Sequence, residues 1–213
     1  GLSTVNGTIW FIGRDGTWHV GGVPMKPGDA LSRVDVVWNA LHGAYGEDGT
    51  VQRLLEIFGI PYTGSEPHPS FLGMNKARAK MELSDAGFCM PRHALFRTKE
   101  DNAKEAARSV FSSVAPPWII KPLAGGSSIG IVIARTFPDL VSALGALAVR
   151  DDAEGAYIIE EMIRGKEATV GIIDGFRGEE MYALPPTEIR PPSESPFFDY
   201  DAKYSGASQE LCP

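Results

Sequence analysis

The stretch Trp118–Ala134 constrains the fold of this chain more than any other. It consists of two apolar, largely β-branched runs on either side of a loop of small residues, and this pattern predicts a β-hairpin whose loop can lie over a ligand. Lys121 stands where the first run ends. The loop contains Gly125, Gly126, Ser127 and Ser128. Glycine can adopt backbone angles that other residues rarely adopt. Serine hydroxyls and free backbone N–H groups can donate hydrogen bonds to phosphate oxygens. The pattern favours a polyphosphate site; an ordinary Gly-Ser hairpin with an edge lysine is the alternative.

The composition limits the classes of partner. The chain has 213 residues, of which 43% are hydrophobic and 22% charged, as expected for a soluble globular protein. Its net charge of -7 argues against nucleic acid or an anionic membrane as the main partner. Cys89 and Cys212 are far apart and follow no metal-binding spacing, which fits a reducing cytosol. No apolar run approaches the roughly 20 residues of a membrane span, so we expect a cytoplasmic protein.

The N-terminal third predicts a hairpin followed by a strand, a loop and a helix. Asp15 and Gly16 separate two short alternating runs, which is a strong hairpin signal. The segment 34–41 is apolar on both sides, as is typical of a strand in a parallel sheet covered by helices. After it, we expect a helix that is capped by Asp48 or Thr50 and ends at Gly59.

The glycine-rich loop between this strand and this helix begins at His42. Ligands of open α/β sheets lie at the carboxyl ends of strands, so this position makes His42 a candidate substrate residue. A loop histidine that pairs with a neighbour is the alternative.

The middle of the chain predicts alternating helices and strands, an α+β arrangement. Residues 60–75 are rich in Pro and Gly and read as a connection and the best candidate domain boundary. A helix over 76–86 carries three basic residues, which normally form a solvated face. A strand at 93–96 precedes a helix with a predicted cap at Thr98, and Thr136 with Asp139 predicts the start of another helix.

Two further strands are predicted, 157–163 and 167–173, joined by a turn at Gly165. Glu160 and Glu161 interrupt the first run, and an unpaired buried charge is costly, so one of them should meet a donor. The alternative places both at an exposed strand end. The segment 197–206 lacks periodicity and is dense in aromatic residues, which suggests a lid-like loop.

Five motifs in the same order closely resemble those of the D-alanine–D-alanine ligase family. They are His42-Gly-x-x-Gly-Glu-Asp-Gly-x-x-Gln52, Met74-Asn-Lys76, Ile120-Lys-Pro122 with Gly126-Ser-Ser-Ile-Gly130, Ile159-Glu-Glu161 with Gly165-x-Glu167, and Phe198-Asp-Tyr-Asp-Ala-Lys-Tyr204. The resemblance implies a partial ATP-grasp fold of the α/β and α+β classes. It implies a partial N-terminal α/β domain at 1–64, a central α+β lid domain at 65–165 and the start of a C-terminal domain at 166–213.

The resemblance also implies an ATP site. By this resemblance Lys76 and Lys121 bind phosphates, beneath a lid formed by Gly125, Gly126, Ser127 and Ser128. Glu160 resembles the acceptor of the adenine amino group, the backbone of Glu161 and Ile163 reads the adenine edge, and Glu167 holds the ribose. Asn75 departs from the Asp of many family members.

Two candidate catalytic residues follow from the resemblance. Tyr204 resembles the ω-loop tyrosine that bonds Ser127 and closes the site, with Lys203 beside it as a further nucleotide contact. His42 resembles a residue near the first D-alanine. In ligases that prefer D-lactate this part of the loop differs, so Tyr204 favours D-alanine as the second substrate.

The chain departs from the family at both ends. It starts after the family's N-terminal strand and the glutamate that binds the first D-alanine. It ends before the acidic residues that bind Mg²⁺ and before an arginine that stabilises the transition state, so no metal ligand is assigned here. We therefore expect the chain to resemble the middle of a ligase and to be inactive by itself.

The family's reaction phosphorylates one D-alanine and joins it to a second, for peptidoglycan precursors. The resemblance implies ATP and D-alanine as substrates, Mg²⁺ as cofactor and a homodimer when complete. A ligase that makes D-alanyl-D-lactate or D-alanyl-D-serine is one alternative. A non-catalytic nucleotide-binding remnant is another.

Overall fold

A computed structural model describes residues 6–150, 155–190 and 209–212 of the chain. They form two compact units that divide between Met74 and Asn75. In the described ranges, no helix has the length and apolarity needed to cross a membrane.

In its described residues, the first unit combines a small antiparallel sheet with three helices. The strands, in sheet order, are β1 (Trp10–Ile12), β2 (Trp18–Val20) and β3 (Val23–Met25). The helices are α1 (Pro27–Leu31), α2 (Thr50–Ile57) and α3 (Pro67–Met74). The predicted β1–β2 hairpin is confirmed, and Oδ1 of Asp15 accepts from Thr17 N at 3.0 Å in its turn. Buried Trp18, Leu31 and Leu55 form the centre of this unit's core.

One prediction for this unit is wrong, and a second missed a helix. The segment 34–41 makes only a single parallel bridge, between Val37 and Tyr62, and Trp38 is 81% exposed. An apolar run becomes a buried strand only where neighbouring strands pair with it along its length, and this one has a single bridge in the described residues. The connection predicted at 60–75 does include the division between the two units, but it also contains helix α3. Pro67 begins that helix, where the missing N–H of proline costs nothing.

Helix α2 is confirmed, but its cap is not. The N-cap is Gly49 rather than Asp48 or Thr50. Gly49 has φ 90°, and a Cβ there would overlap the Pro67 carbonyl oxygen, so only glycine fits. Asp48 acts one residue earlier: its Oδ1 accepts from Thr50 N at 2.9 Å and its Oδ2 from Tyr45 N at 2.8 Å.

In its described residues, the second unit contains a four-stranded antiparallel sheet and three α-helices. The strands are β4 (His93–Arg97), β5 (Trp118–Pro122), β6 (Val132–Ala134) and β7 (Ala156–Glu161), in the sheet order β4-β7-β5-β6. The helices are α4 (Lys76–Asp85), α5 (Ala103–Ser113) and α6 (Phe137–Ala148). The hairpin predicted around the Gly-Ser loop is confirmed as β5 and β6, and so is the predicted helix α4.

Alternation along β5 separates the core from the opposite face of the sheet. Trp118 and Ile120 are fully buried in the core. The core residues are Phe96, Ala107, Val110, Val114, Trp118, Ile120, Ala134, Leu140, Leu144, Leu147, Tyr157 and Ile159. Successive side chains of a strand point to opposite faces, so Ile119 and Lys121 face away from this core. Glu160 lies opposite Ile119 in the register between β5 and β7, and its side chain therefore shares their face.

The remaining strands belong to two smaller sheets. They are β8 (Glu167–Thr169), β9 (Ile172–Asp174), β10 (Met181–Ala183), β11 (Thr187–Arg190) and β12 (Gln209–Leu211). The single strand predicted at 167–173 is wrong, because β8 pairs with β11 while β9 pairs with β10. The break falls at Gly171, whose carbonyl accepts from Leu184 N at 2.9 Å and so extends the β9–β10 hairpin.

The two predicted caps in the second unit have different outcomes. Thr136 and Asp139 form a capping box at the start of α6, as predicted. The cap of α5 is Asn102 rather than Thr98. Oδ1 of Asn102 accepts from the backbone N–H groups of the second and third helical residues, at 3.0 and 3.2 Å, and thus satisfies two donors that have no partner within the helix.

Replacement of Leu144 by Ala tests the core of the second unit. Leu144 is fully buried, so we expect Leu144→Ala to lower the free energy of unfolding by about 2–5 kcal/mol through lost burial and a residual cavity. Exposed Ser142 on the same helix provides the control, because Ser142→Ala should change stability by less than about 0.5 kcal/mol. Urea unfolding followed by circular dichroism measures both. Equal losses for the two variants would contradict this account of the core.

Candidate functional site

A buried carboxylate stands at the centre of the candidate site. Glu160, near the end of β7, is 3% exposed and lies between two lysines. Its Oε1 is 2.7 Å from Nζ of Lys80, and its Oε2 is 2.7 Å from Nζ of Lys121. Oε1 of the neighbouring Glu161 accepts from Arg92 N at 2.8 Å. The prediction that one of the two glutamates meets a donor is thus confirmed, and the alternative of an exposed strand end is wrong for Glu160.

The two lysines decide the protonation state of Glu160. Burial raises the pKa of this carboxyl, whereas hydrogen bonds and charge from Lys121 and Lys80 lower it. The lysines outweigh burial, and the pKa of Glu160 falls below its ordinary value. At neutral pH the group is therefore an anion between two cations.

Lys76 fixes the start of α4 against the loop that follows β5. Its Nζ donates to the carbonyl oxygens of Pro122 and Gly125, at 2.9 Å each, and its backbone N–H donates to the carbonyl of Leu123 at 3.0 Å. The preceding residue, Asn75, caps the helix by accepting from Arg78 N at 3.1 Å. An asparagine serves as N-cap as well as an aspartate does, so this departure from the family pattern preserves the helix start.

The Gly-Ser loop has a left-handed backbone at three of its residues. Gly125 has φ 101°, a region open mainly to glycine. Ser127 and Ser128 have φ values of 53° and 57°, which for residues other than glycine cost on the order of 1–3 kcal/mol each. Strain of this kind concentrates at ligand-binding loops, so the geometry supports a functional role for this loop.

Two cavities in the second unit share one lysine. The smaller has a volume of about 260 Å³ and lies under the Gly-Ser loop. It is lined by Lys76, Lys121, Pro122, Gly125, Gly126, Ser127, Ser128, Ile129 and Ile131. The larger has a volume of about 920 Å³. Its lining includes Ile119, Lys121, Glu160, Glu161, Met162, Ile163 and Glu167. Its lining also contains four further basic residues, Arg135, Arg164, Lys166 and Arg190. Lys121 lines both cavities, and so connects one with apolar, acidic and basic side chains to one with two lysines and the Gly-Ser loop.

The larger cavity is also lined by an ion-pair cluster of Glu188 and Arg190 on β11 with Lys166. Glu188 accepts from the Arg190 guanidinium at 3.0 and 3.2 Å and lies 3.5 Å from Nζ of Lys166. The hydrogen bonds from Arg190 hold the pKa of Glu188 below its ordinary value. Glu188 and Arg190 were not predicted as site residues, because the sequence pattern did not predict the strand that carries them.

Lys80 is a further site residue that the sequence pattern did not predict. We expected the basic residues of α4 to form a solvated face, yet the Lys80 side chain is only 14% exposed. Its spacing of four residues from Lys76 places both on one side of the helix, and this spacing was the available signal.

The structure brings together most of the predicted site residues. Lys76, Lys121 and the four loop residues line the smaller cavity, while Glu160, Glu161, Ile163 and Glu167 line the larger. His42 belongs to the first unit and is 91% exposed, with its Nδ1 4.0 Å from Oε1 of Glu47. This is the local pairing that the sequence left open, and a role of His42 near substrate stays a prediction. Lys203, Tyr204 and the rest of the predicted lid lie outside the described residues.

Solved structures place this architecture in a class. A D-alanine–D-alanine ligase from Bacillus anthracis is 35% identical and superposes with a TM-score of 0.66, covering 88% of this chain and 58% of that one. The VanG D-Ala:D-Ser ligase from Enterococcus faecalis is 29% identical, with a TM-score of 0.67, covering 96% of this chain and 55% of that one. The antiparallel sheet with its Gly-Ser loop thus belongs to a partial ATP-grasp protein, as predicted.

Sequence comparisons identify the family. The family description "D-ala D-ala ligase N-terminus" matches residues 6–65, and "D-ala D-ala ligase C-terminus" matches residues 82–213. The D-alanine–D-alanine ligase of Geobacter sulfurreducens is 39% identical over 198 residues, and that of Desulfotalea psychrophila is 37% identical over 192. Each alignment covers 90% of this chain and 58% or 57% of the relative. The chain belongs to the D-alanine–D-alanine ligase family, and it spans a little over half the length of these relatives.

The pH dependence of stability tests the charge state of Glu160. Its lowered pKa means that its contribution to stability is present above the ordinary value of 4.5 and is lost as the pH falls through the lower value of the folded state. We expect Glu160→Gln to be destabilised against wild type at about pH 7, and this difference to shrink at about pH 3.

Urea unfolding at both pH values measures this effect. The control is Glu82→Gln, which removes an exposed carboxylate from α4 and should leave the difference from wild type small at both pH values. A Glu160→Gln difference that stays the same at the two pH values would show that Glu160 is not an ion-paired anion.

Proposed function

We propose that this protein joins two D-alanines with ATP to give D-alanyl-D-alanine, a precursor of peptidoglycan. The observation that carries the proposal is that Lys121 lines both cavities, one with the features of a nucleoside site and one with those of a phosphate site. The D-alanine–D-alanine ligases to which the chain is similar support the choice of amino acid. Among the solved structures is a Bacillus anthracis ligase complexed with ATP, 31% identical with a TM-score of 0.66.

In this proposal the larger cavity receives the nucleoside. Glu160 accepts from the adenine amino group, and the backbone of Glu161 and Ile163 reads the edge of the base. Glu167 holds the ribose hydroxyls. These assignments agree with the chemistry of the groups, because carboxylates and carbonyls accept hydrogen bonds from amino and hydroxyl donors. The apolar side chain of Ile119, on the same face of β5 as Lys121, supplies a surface for the flat ring.

The smaller cavity receives the β- and γ-phosphates. Lys76 and Lys121 neutralise their charge, and the loop from Gly125 to Ser128 covers them. The family's Mg²⁺ belongs to the proposal as well, with ligands outside the residues assigned here. In the part of the chain that the structure describes, no three side chains of metal-binding type come together.

The reaction proceeds through an acylphosphate. A free carboxylate is a poor acyl donor, so the γ-phosphoryl group passes from ATP to one carboxylate oxygen of the first D-alanine and ADP leaves. The amine of the second D-alanine then attacks the carbonyl carbon, loses a proton and expels phosphate. The protein positions the reactants and stabilises charge. By the family resemblance we assign Ser127 and Tyr204 to closure of the site, Lys203 to the nucleotide and His42 to the first D-alanine.

The cellular location, the oligomeric state and the second substrate complete the proposal. We place the protein in the cytoplasm and propose that it forms a homodimer. The D-Ala:D-Ser specificity in the name of the VanG neighbour gives a reason to test D-serine as an alternative acceptor. The relatives from Desulfotalea psychrophila, Mycobacterium ulcerans and Geobacter sulfurreducens, each named as a D-alanine–D-alanine ligase, favour D-alanine.

A chimera tests the proposed activity. The matched segment of the Geobacter sulfurreducens ligase is replaced by this chain, with which it is 39% identical. We expect ATP, Mg²⁺ and D-alanine to yield D-alanyl-D-alanine and phosphate in equal amounts. Parallel reactions with D-serine and D-lactate identify the preferred acceptor by mass spectrometry. A folded chimera that binds ATP but makes no dipeptide would support a non-catalytic remnant, and mostly D-alanyl-D-serine or depsipeptide would support the alternative ligases.

Replacement of Lys121 tests the nucleotide site. Lys121→Ala removes the cation shared by the two cavities, so we expect ATP binding to weaken by about 1.5–3 kcal/mol, the usual scale for a hydrogen bond to a charged group. Calorimetry on the folded chain measures this change. Lys104→Ala is the matched control, because Lys104 is exposed on α5 and lines neither cavity. Unchanged ATP affinity in Lys121→Ala would remove Lys121 from the site.

A further inference from the structure

We infer that Lys80 is a positioning residue that keeps Glu160 in place as the acceptor for the base and thereby releases Lys121 to bind the phosphates. This inference rests on the nucleotide site proposed above. Lys80 is not one of the proposed phosphate-binding lysines, and the sequence motifs assign no role to it.

The position of Lys80 excludes direct contact with the nucleotide. Its side chain is 14% exposed, and its Nζ lies 2.7 Å from Oε1 of Glu160. In the described part of the chain, Lys76 and Lys121 are among the residues that line the cavities, whereas Lys80 lines neither. Lys80 therefore acts on a ligand only through Glu160.

The charges explain why a second lysine is needed. Glu160 and Lys121 alone form a neutral pair whose oxygen and nitrogen lie 2.7 Å apart. If Lys121 then turned towards a phosphate, the buried carboxylate would lose its only cation, and uncompensated buried charges are strongly destabilising. With Lys80 present, Oε1 keeps its ion pair while Lys121 shifts towards the smaller cavity. The group of two lysines and one glutamate has a net charge of +1, which is available to the phosphates.

The hydrogen-bonding capacity of Glu160 allows both of its roles. An ionised carboxylate has about four lone-pair sites. Lys80 and Lys121 each lie 2.7 Å from one oxygen as ion pairs, and in the described residues Oε1 accepts no hydrogen bond of good geometry. Capacity therefore remains for the amino group of a base in the larger cavity, which Glu160 lines. Lys80 fixes the direction of these remaining sites because it holds Oε1 against α4.

A purely structural role for Lys80 predicts different behaviour. If the ion pair only tied α4 to β7, its loss would lower stability and weaken all ligands of the site by a similar factor. The positioning role instead predicts a selective loss of the affinity that the phosphates contribute. It also predicts that Lys80 ceases to matter once Glu160 has no charge.

The experiment measures dissociation constants of ATP and adenosine for the 213-residue chain by equilibrium competition. The variants are Lys80→Met, Lys80→Arg, Glu160→Gln and the double variant Lys80→Met/Glu160→Gln. We expect Lys80→Met to weaken ATP by roughly 10- to 100-fold, the range that follows from hydrogen bonds to charged groups, and adenosine by clearly less. Lys80→Arg retains the cation and should stay within a few-fold of wild type.

The double variant keeps the test decisive if Lys80→Met alone does not fold. In the Glu160→Gln background, Lys80→Met should change ATP affinity by less than about threefold, because no buried carboxylate then holds Lys121. An equal loss for ATP and adenosine in Lys80→Met, or a full loss in the Glu160→Gln background, would overturn the positioning role. A wild-type chain that binds ATP, with Lys80→Met unchanged, would overturn this inference alone. A wild-type chain that binds neither ligand would overturn the proposed nucleotide site and this inference with it.

Discussion

The second unit is organised around the buried carboxylate of Glu160. Its two ion pairs, each 2.7 Å long, connect β7 to α4 through Lys80 and to β5 through Lys121. A buried charge is tolerated only where it is paired and hydrogen-bonded, so these three elements must stay in register for the carboxylate to remain satisfied. Ion pairs thus hold the face of the sheet that lines the candidate site, whereas apolar packing around Trp118 and Tyr157 holds the opposite face.

This division explains why the strand β5 serves both stability and binding. Its buried residues alternate with Ile119 and Lys121, which line the cavities. Because a strand alternates strictly, a shift of one residue in its pairing would place Lys121 in the core and Trp118 in the site. The bulk of Trp118, whose Nε1 donates to the Val114 carbonyl at 2.9 Å, therefore also fixes the direction of the lysine.

The features that the sequence predicted well are those with local signals. The β5–β6 hairpin follows from two apolar runs around a Gly-Ser loop, and the start of α6 follows from the spacing of Thr136 and Asp139. Lys80 was missed because its partner lies 80 residues further along the chain, where no local pattern records the pairing. The strand predicted at 34–41 is wrong for a related reason, because an apolar run forms a strand only if neighbouring strands pair with it. The need of Glu160 for a donor was predictable, but the identity of the donor was not.

Because one lysine borders both cavities, recognition of the two halves of a ligand cannot be independent. Whatever fills the smaller cavity competes with Glu160 for Lys121, and whatever engages Glu160 changes how firmly that lysine is held. Such coupling is reciprocal by thermodynamic necessity, so each half alters the affinity of the other by the same factor. A ligand fragment that binds only the larger cavity finds Lys121 still paired with Glu160. Its binding free energy, measured alone, therefore does not simply add to that of a second fragment.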